Sequence, residues 1–111
     1  IHNNSSGTGN FTSAHGTQVL YSQSDTKELG SKRLAQICLD NVTATTGNSS
    51  FGLLEADDIY IVRTSEAPVA LIEVGFMTNR EELDKLSDSE YQKSAAQGIY
   101  NAIMQAFDEG Y

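Results

Sequence analysis

The stretch Pro68–Asn79, PVALIEVGFMTN, decides how this chain is read. Val69 to Val74 is an apolar, β-branched run with breakers on both sides, Pro68 before it and Gly75 after it, which predicts a buried strand. Side chains alternate along a strand, so Glu73 shares a face with Val69 and Leu71. A carboxylate taken out of water into an apolar layer is costly unless it is paired, metal-bound or protonated. One reading makes Glu73 a strand-end residue that reaches solvent or a cation such as Arg63. The other makes it functional, because open α/β sheets place their sites beyond the carboxyl ends of strands, and Gly75 lets the backbone turn sharply there.

Working outward, Ile59–Val62 reads as a second buried strand and Val19–Tyr21 as a short third one. The Arg63–Pro68 link is too short for a crossover helix, so the two longer strands do not form a simple parallel βαβ pair. Asp25 followed by Glu28 resembles a capping box opening a helix to about Val42, with Leu34, Ala35, Ile37, Cys38, Leu39 and Val42 on its apolar face. Asn41 to Ser50 reads as a polar turn. Downstream, Thr78-x-x-Glu81 and Ser87-x-x-Glu90 are two N-cap signatures, for a short helix and then a long one through Tyr91, Ala95, Ile99, Ala102, Ile103, Ala106 and Phe107. Loop, strand, helix, strand, strand, helix predicts an α/β domain with a mixed, mainly parallel sheet flanked by helices.

The 111 residues suit one domain, and 39% hydrophobic with 20% charged residues fits a folded chain. A single cysteine excludes an internal disulfide, so Cys38 reads as a small buried hydrophobe. Fifteen acidic against seven basic residues argue against nucleic acid, which needs a basic footprint. No apolar run approaches the ~20 residues of a membrane span. The chain opens Ile1-His2-Asn3-Asn4 without an initiator methionine, so we expect it to be processed or cut from something longer.

Few residues offer chemistry besides Glu73. His2 sits where a strand runs out into the polar stretch 4–16, and a neutral imidazole there is a potential zinc donor. His15 lies within the Ser/Gly-rich loop and reads as solvated or touching substrate. Asp57–Asp58 reads as a solvated turn. Gly7-Thr8-Gly9 lacks the flanking strand, helix and lysine of a phosphate loop.

Taken together, Ile1–Asn4, Gly16–Tyr21, Leu34–Ala35, Gly52 with Ala56–Arg63, and above all Pro68–Asn79 make the chain resemble the zinc-dependent N-acetylmuramoyl-L-alanine amidases, bacterial cell-wall hydrolases. The resemblance runs over essentially the whole chain. It implies a fold similar to zinc-dependent exopeptidases and a Zn²⁺ held by His, Glu and His. The reaction it implies is cleavage of the amide between N-acetylmuramic acid and L-alanine of the peptidoglycan stem peptide. His2 matches the histidine of the family's Ile-His-x-Asn motif and is implied as a zinc ligand. Glu73 matches the glutamate of Glu-x-Gly-Phe and is implied as the catalytic carboxylate; Asn4 reads as a contact either to the groups around the metal or to substrate. The family's other two metal ligands lie upstream of Ile-His-x-Asn. The resemblance therefore implies that residues 1–111 are the C-terminal portion of a catalytic domain, secreted to the cell wall or periplasm and lacking its first strands. On that reading, an exposed sheet edge invites self-association. The alternative is an inactive fragment or a non-catalytic binding or regulatory remnant of the same fold.

Overall fold

The computed structural model describes residues 1–111, in the order β1 (His2–Asn4), β2 (Thr17–Tyr21), α1 (Ser31–Thr46), β3 (Ser50–Glu55), α2 (Tyr60–Thr64), β4 (Ala70–Phe76), α3 (Arg80–Leu86) and α4 (Ser89–Glu109). The strands form one sheet in the order β1-β4-β2-β3. β1 runs parallel to β4 and β2 parallel to β3, while β2 and β4 are antiparallel, so the sheet is mixed, as expected.

The PVALIEVG run does form the strand it predicts, and β4 occupies an interior position with partners on both sides. Ile72 and Val74 face one side, where they join Val19, Tyr21, Ala35, Ile37, Cys38 and Val42 in the main core under α1 and α4. Val69 and Leu71 face the other side and pack with Leu20, Ala56 and Val62 under the short α2. Glu73 follows on that second face and is only 7% exposed.

Two expectations fail here, and they are linked. Ile59–Val62 is not a strand: the chain turns into α2, with Arg63 N–H donating to the Ile59 carbonyl, and only Val62 is fully buried while Tyr60 and Ile61 lie exposed. The strand that fills the sheet edge is instead β3, in a stretch whose start reads as polar turn. β3 is an edge strand with mostly exposed side chains, so it shows no buried apolar alternation, and a bulge opposite Thr17/Gln18 breaks its period. Gly52 stands at that bulge with φ of +95°, a conformation that costs other residues strain.

Helix boundaries also shift. α1 begins at Ser31, not near Asp25, and its N-cap, Gly30, has no side chain to offer. Asp25 acts from a distance, accepting from Ser31 N–H (2.8 Å) and Ser31 Oγ (2.9 Å). α3 and α4 are capped one residue later than the Thr78 and Ser87 signatures suggest, by Asn79 on Glu82 N–H and Asp88 on Tyr91 N–H. An Asx side chain provides the same acceptor as Ser or Thr, so neighbouring candidates read alike in sequence.

Candidate active site

β1 and β4 pair in register at His2 and Glu73, which brings side chains 71 residues apart onto neighbouring strands. His2 Nδ1 lies 3.1 Å from both Glu73 carboxylate oxygens. With its proton on Nδ1 the imidazole donates to the carboxylate, and Nε2 keeps its lone pair. The burial is asymmetric. The Glu73 side chain is 10% exposed, whereas that of His2 is 68% exposed, so the imidazole closes the carboxylate off from solvent while itself facing outward. Arg63 plays no part: its guanidinium donates to the Asp57 carbonyl and lies over Tyr60.

On the other side of β4, Gln18 of β2 pairs with Glu73. The Asn4 side chain donates from Nδ2 to Gln18 Oε1 at 3.0 Å. Three adjacent strands thus place an imidazole, a carboxylate and two amides together. Gln18 escapes sequence reading, although its signal is the same as that of Glu73: a polar residue in a strand otherwise apolar on that face, two before Leu20.

A second carboxylate, Glu82 of α3, is also missed. It is 4% exposed and has no cationic partner. Three N–H groups meet it instead: Gly16 N (2.8 Å), Asn48 Nδ2 (2.8 Å) and Phe76 N (2.6 Å). Glu82 therefore ties the end of the strand bearing Glu73 to the start of β2 and to the close of the 5–16 loop. A Cβ on Gly75 would come within 3.2 Å of its Oε2, which is why a glycine follows Val74.

The remaining candidates stay apart from this site. His15 is exposed and bonds through Nδ1 to the Ser13 carbonyl, and Asp57 accepts from Ser24. No three His, Cys, Asp or Glu side chains come close enough together to hold a metal ion. One imidazole beside a carboxylate is short of the three protein donors that a catalytic zinc takes, so these residues by themselves do not fit the metal.

An α/β layer with a carboxylate–imidazole pair on neighbouring parallel strands defines the class of domain this is. The family model described as N-acetylmuramoyl-L-alanine amidase matches residues 1–105, and the chain belongs to that family. A Bacillus subtilis relative, the uncharacterized protein YqiI, is 37% identical over 97 residues, covering 87% of this chain and 46% of its own length. Among solved structures, an N-acetylmuramoyl-L-alanine amidase from Clostridium difficile 630 superposes with a TM-score of 0.87 at 28% identity, over 98% of this chain and 56% of the other. The catalytic domain of the amidase CwlV from Bacillus (Paenibacillus) polymyxa var. colistinus gives 0.80 at 29% identity, over 96% and 54%. The chain thus spans about half the length of these relatives.

Proposed function

We propose that residues 1–111 are the C-terminal portion of a peptidoglycan amidase catalytic domain, which cleaves the amide between N-acetylmuramic acid and L-alanine of the stem peptide. The observation that supports this reading best is the buried Glu73 carboxylate held against His2. A carboxylate so placed takes a proton from the attacking water and passes it to the leaving nitrogen, which amide cleavage requires. Asn4 and Gln18 line the same strand ends and are assigned contacts to the substrate's amide and hydroxyl groups.

Zinc is assigned to the complete domain, not to this chain alone. His2 is the one donor that this half contributes, with Nε2 free and Nδ1 held by Glu73, an arrangement that fixes the tautomer of a ligating histidine. The other donors fall to polypeptide outside these residues, in keeping with relatives about twice as long. Cell wall or periplasm is the matching location; no helix here is long and apolar enough to cross a membrane.

In a complete domain containing this sequence, Glu73→Gln is expected to abolish release of stem peptides from purified cell wall and leave zinc content unchanged. His2→Ala is expected to lower the zinc content. Retained lysis in the first variant removes Glu73 from its role, and full metal occupancy in the second removes His2 from the ligand set. The absence of a three-donor cluster favours a second reading for the 111 residues in isolation, an inactive fragment. Metal analysis of the isolated chain tests this second reading: little bound zinc is expected, and stoichiometric zinc would mean that the missing donors are supplied within these residues.

A further inference from the structure

Arg80 has an unusual setting for an exposed cation. Its guanidinium carbon stands 4.0 Å from the centroid of the Phe11 ring. Neither partner reaches this position by chance of a floppy loop. Thr12 N–H donates to the Thr78 carbonyl (2.7 Å) and Ser6 N–H to Thr78 Oγ1 (3.1 Å), so the loop is pinned to the β4–α3 turn on both sides of Phe11. Asn79 caps α3 and fixes the backbone of Arg80 at the first helical position.

The guanidinium makes no hydrogen bond or ion pair, in contrast to Arg33, which is doubly bonded to Glu109. Glu81 lines the same hollow but does not pair with Arg80, and Glu82 is turned inward to its backbone donors. The pair borders an open groove of about 470 Å³, lined also by Thr12, Ser13 and Asn79. This groove lies just past the carboxyl ends of β1 and β4, where Met77 N–H bonds the Asn4 carbonyl and three residues beyond Glu73 the strand ends.

We propose that Arg80, stacked on Phe11, is a subsite for a carboxylate on the peptide stem of the substrate. The inference rests on the amidase reading of the site and deepens it. A guanidinium presents its N–H donors in a planar fork that matches a carboxylate, and stacking on an aromatic face holds that fork in place before the ligand arrives. In a chain of net charge −8, an acidic peptide is repelled over most of the surface, so one unpaired, preorganised cation also sets its direction. An extended stem of four or five residues spans roughly 13–18 Å, enough to run from the scissile amide beside Glu73 to beyond the strand ends. Two carboxylates share the required chemistry: an α-carboxylate left free by a γ-linked acidic residue, and the carboxylate at the stem's C-terminus.

The test is a calorimetric titration of the 111-residue chain with a synthetic muramyl tetrapeptide bearing both carboxylates, and with two versions in which one or the other is amidated. Arg80→Ala and Phe11→Ala are expected to weaken binding of the diacid about tenfold, the scale of a charge-assisted hydrogen bond at a partly exposed site. Arg80→Lys keeps the charge, loses the fork and is expected to weaken binding as well. Amidation of the recognised carboxylate should reproduce the loss in the unmodified chain and add nothing in Arg80→Ala, which also shows which source is read. Undiminished affinity in Arg80→Ala, equal affinity for all three ligands, or no binding by the unmodified chain overturns the proposal. Failure of the catalytic reading looks different: Glu73→Gln in the complete domain would retain lysis, whatever the Arg80 series does.

Discussion

Glu73, Glu82 and Asp25 meet the cost of removing a carboxylate from water in three different ways. Glu73 has a single imidazole and no backbone donor. Glu82 has three N–H donors and no charge partner, an arrangement that satisfies its oxygens while fixing the chain segments that supply those donors. Asp25 is partly buried, which pushes its carboxyl up. The Ser31 hydroxyl and N–H, with the N–H and charge of Lys27, outweigh this and bring it below the usual carboxylate range. A carboxyl lowered on folding stabilises the native state above its unfolded pKa, near 4, and that stabilisation is lost as pH falls through the lower native value. The melting-temperature gap between the unmodified chain and Asp25→Asn should therefore hold steady from pH 7 to 5 and narrow below about pH 4. A gap unchanged down to pH 2 would remove Asp25 from this role. Of the three, Glu73 alone is legible in sequence, because its burial follows from its own strand. The donors of Glu82 lie 66, 34 and 6 residues away, and no local pattern announces them.

Among the elements, α1 and α4 form the main helical layer, and α4 turns a strip of small residues to α1: Ala95, Gly98, Ala102 and Ala106. Gly98 is the closest point. A Cβ there would lie 2.5 Å from Thr45 Oγ1 and 2.7 Å from Val42 Cα. Helix propensity alone predicts that Gly98→Ala stabilises by about 1 kcal/mol. The contact predicts the opposite sign, since backbone atoms must move apart, and overpacking of this kind typically costs about 1–3 kcal/mol. Urea unfolding of Gly98→Ala should show net destabilisation, and a gain in stability would mean that the helices are looser than this spacing. Both helices are readable beforehand because their 3.6-residue apolar period is long and regular. β3 and α2 are exchanged in the sequence reading for a physical reason: a half-exposed edge strand and a one-turn helix present too few buried positions for either period to register. In Ile59–Val62, β-branched residues suggest a strand, yet two of the four, Tyr60 and Ile61, lie in solvent.

At the scale of the molecule, one flank is unlike the rest. β1 pairs with β4 alone, so its outer edge has no strand against it. Beside that edge, on the sheet face opposite Glu73, a mainly apolar groove of about 250 Å³ runs between Ile1, Val74, Tyr91 and Ile99. It continues into an uncovered strip of α4, where Tyr100, Ile103 and Phe107 are 58%, 48% and 64% exposed. In isolation this flank is open to a second copy of the chain. Sedimentation velocity should then show a weight-average coefficient that rises with concentration, and Ile103→Lys with Phe107→Lys should suppress the rise; a single monomeric boundary at every concentration would exclude such pairing. An α/β layer is legible from the alternation of strand and helix signals, but the antiparallel β2–β4 pairing is not: the Arg63–Pro68 link that suggested a mixed sheet follows a helix, not a strand.

The three-residue β1 has a last consequence. Its only strand neighbour is β4, and it brings the imidazole to the buried Glu73 carboxylate, while the main core lies between α1, α4 and the inner strands. Release of those few residues would part His2 from Glu73 and leave the global fold standing. The temperature at which the molecule melts is thus an upper bound on the temperature at which that contact is lost.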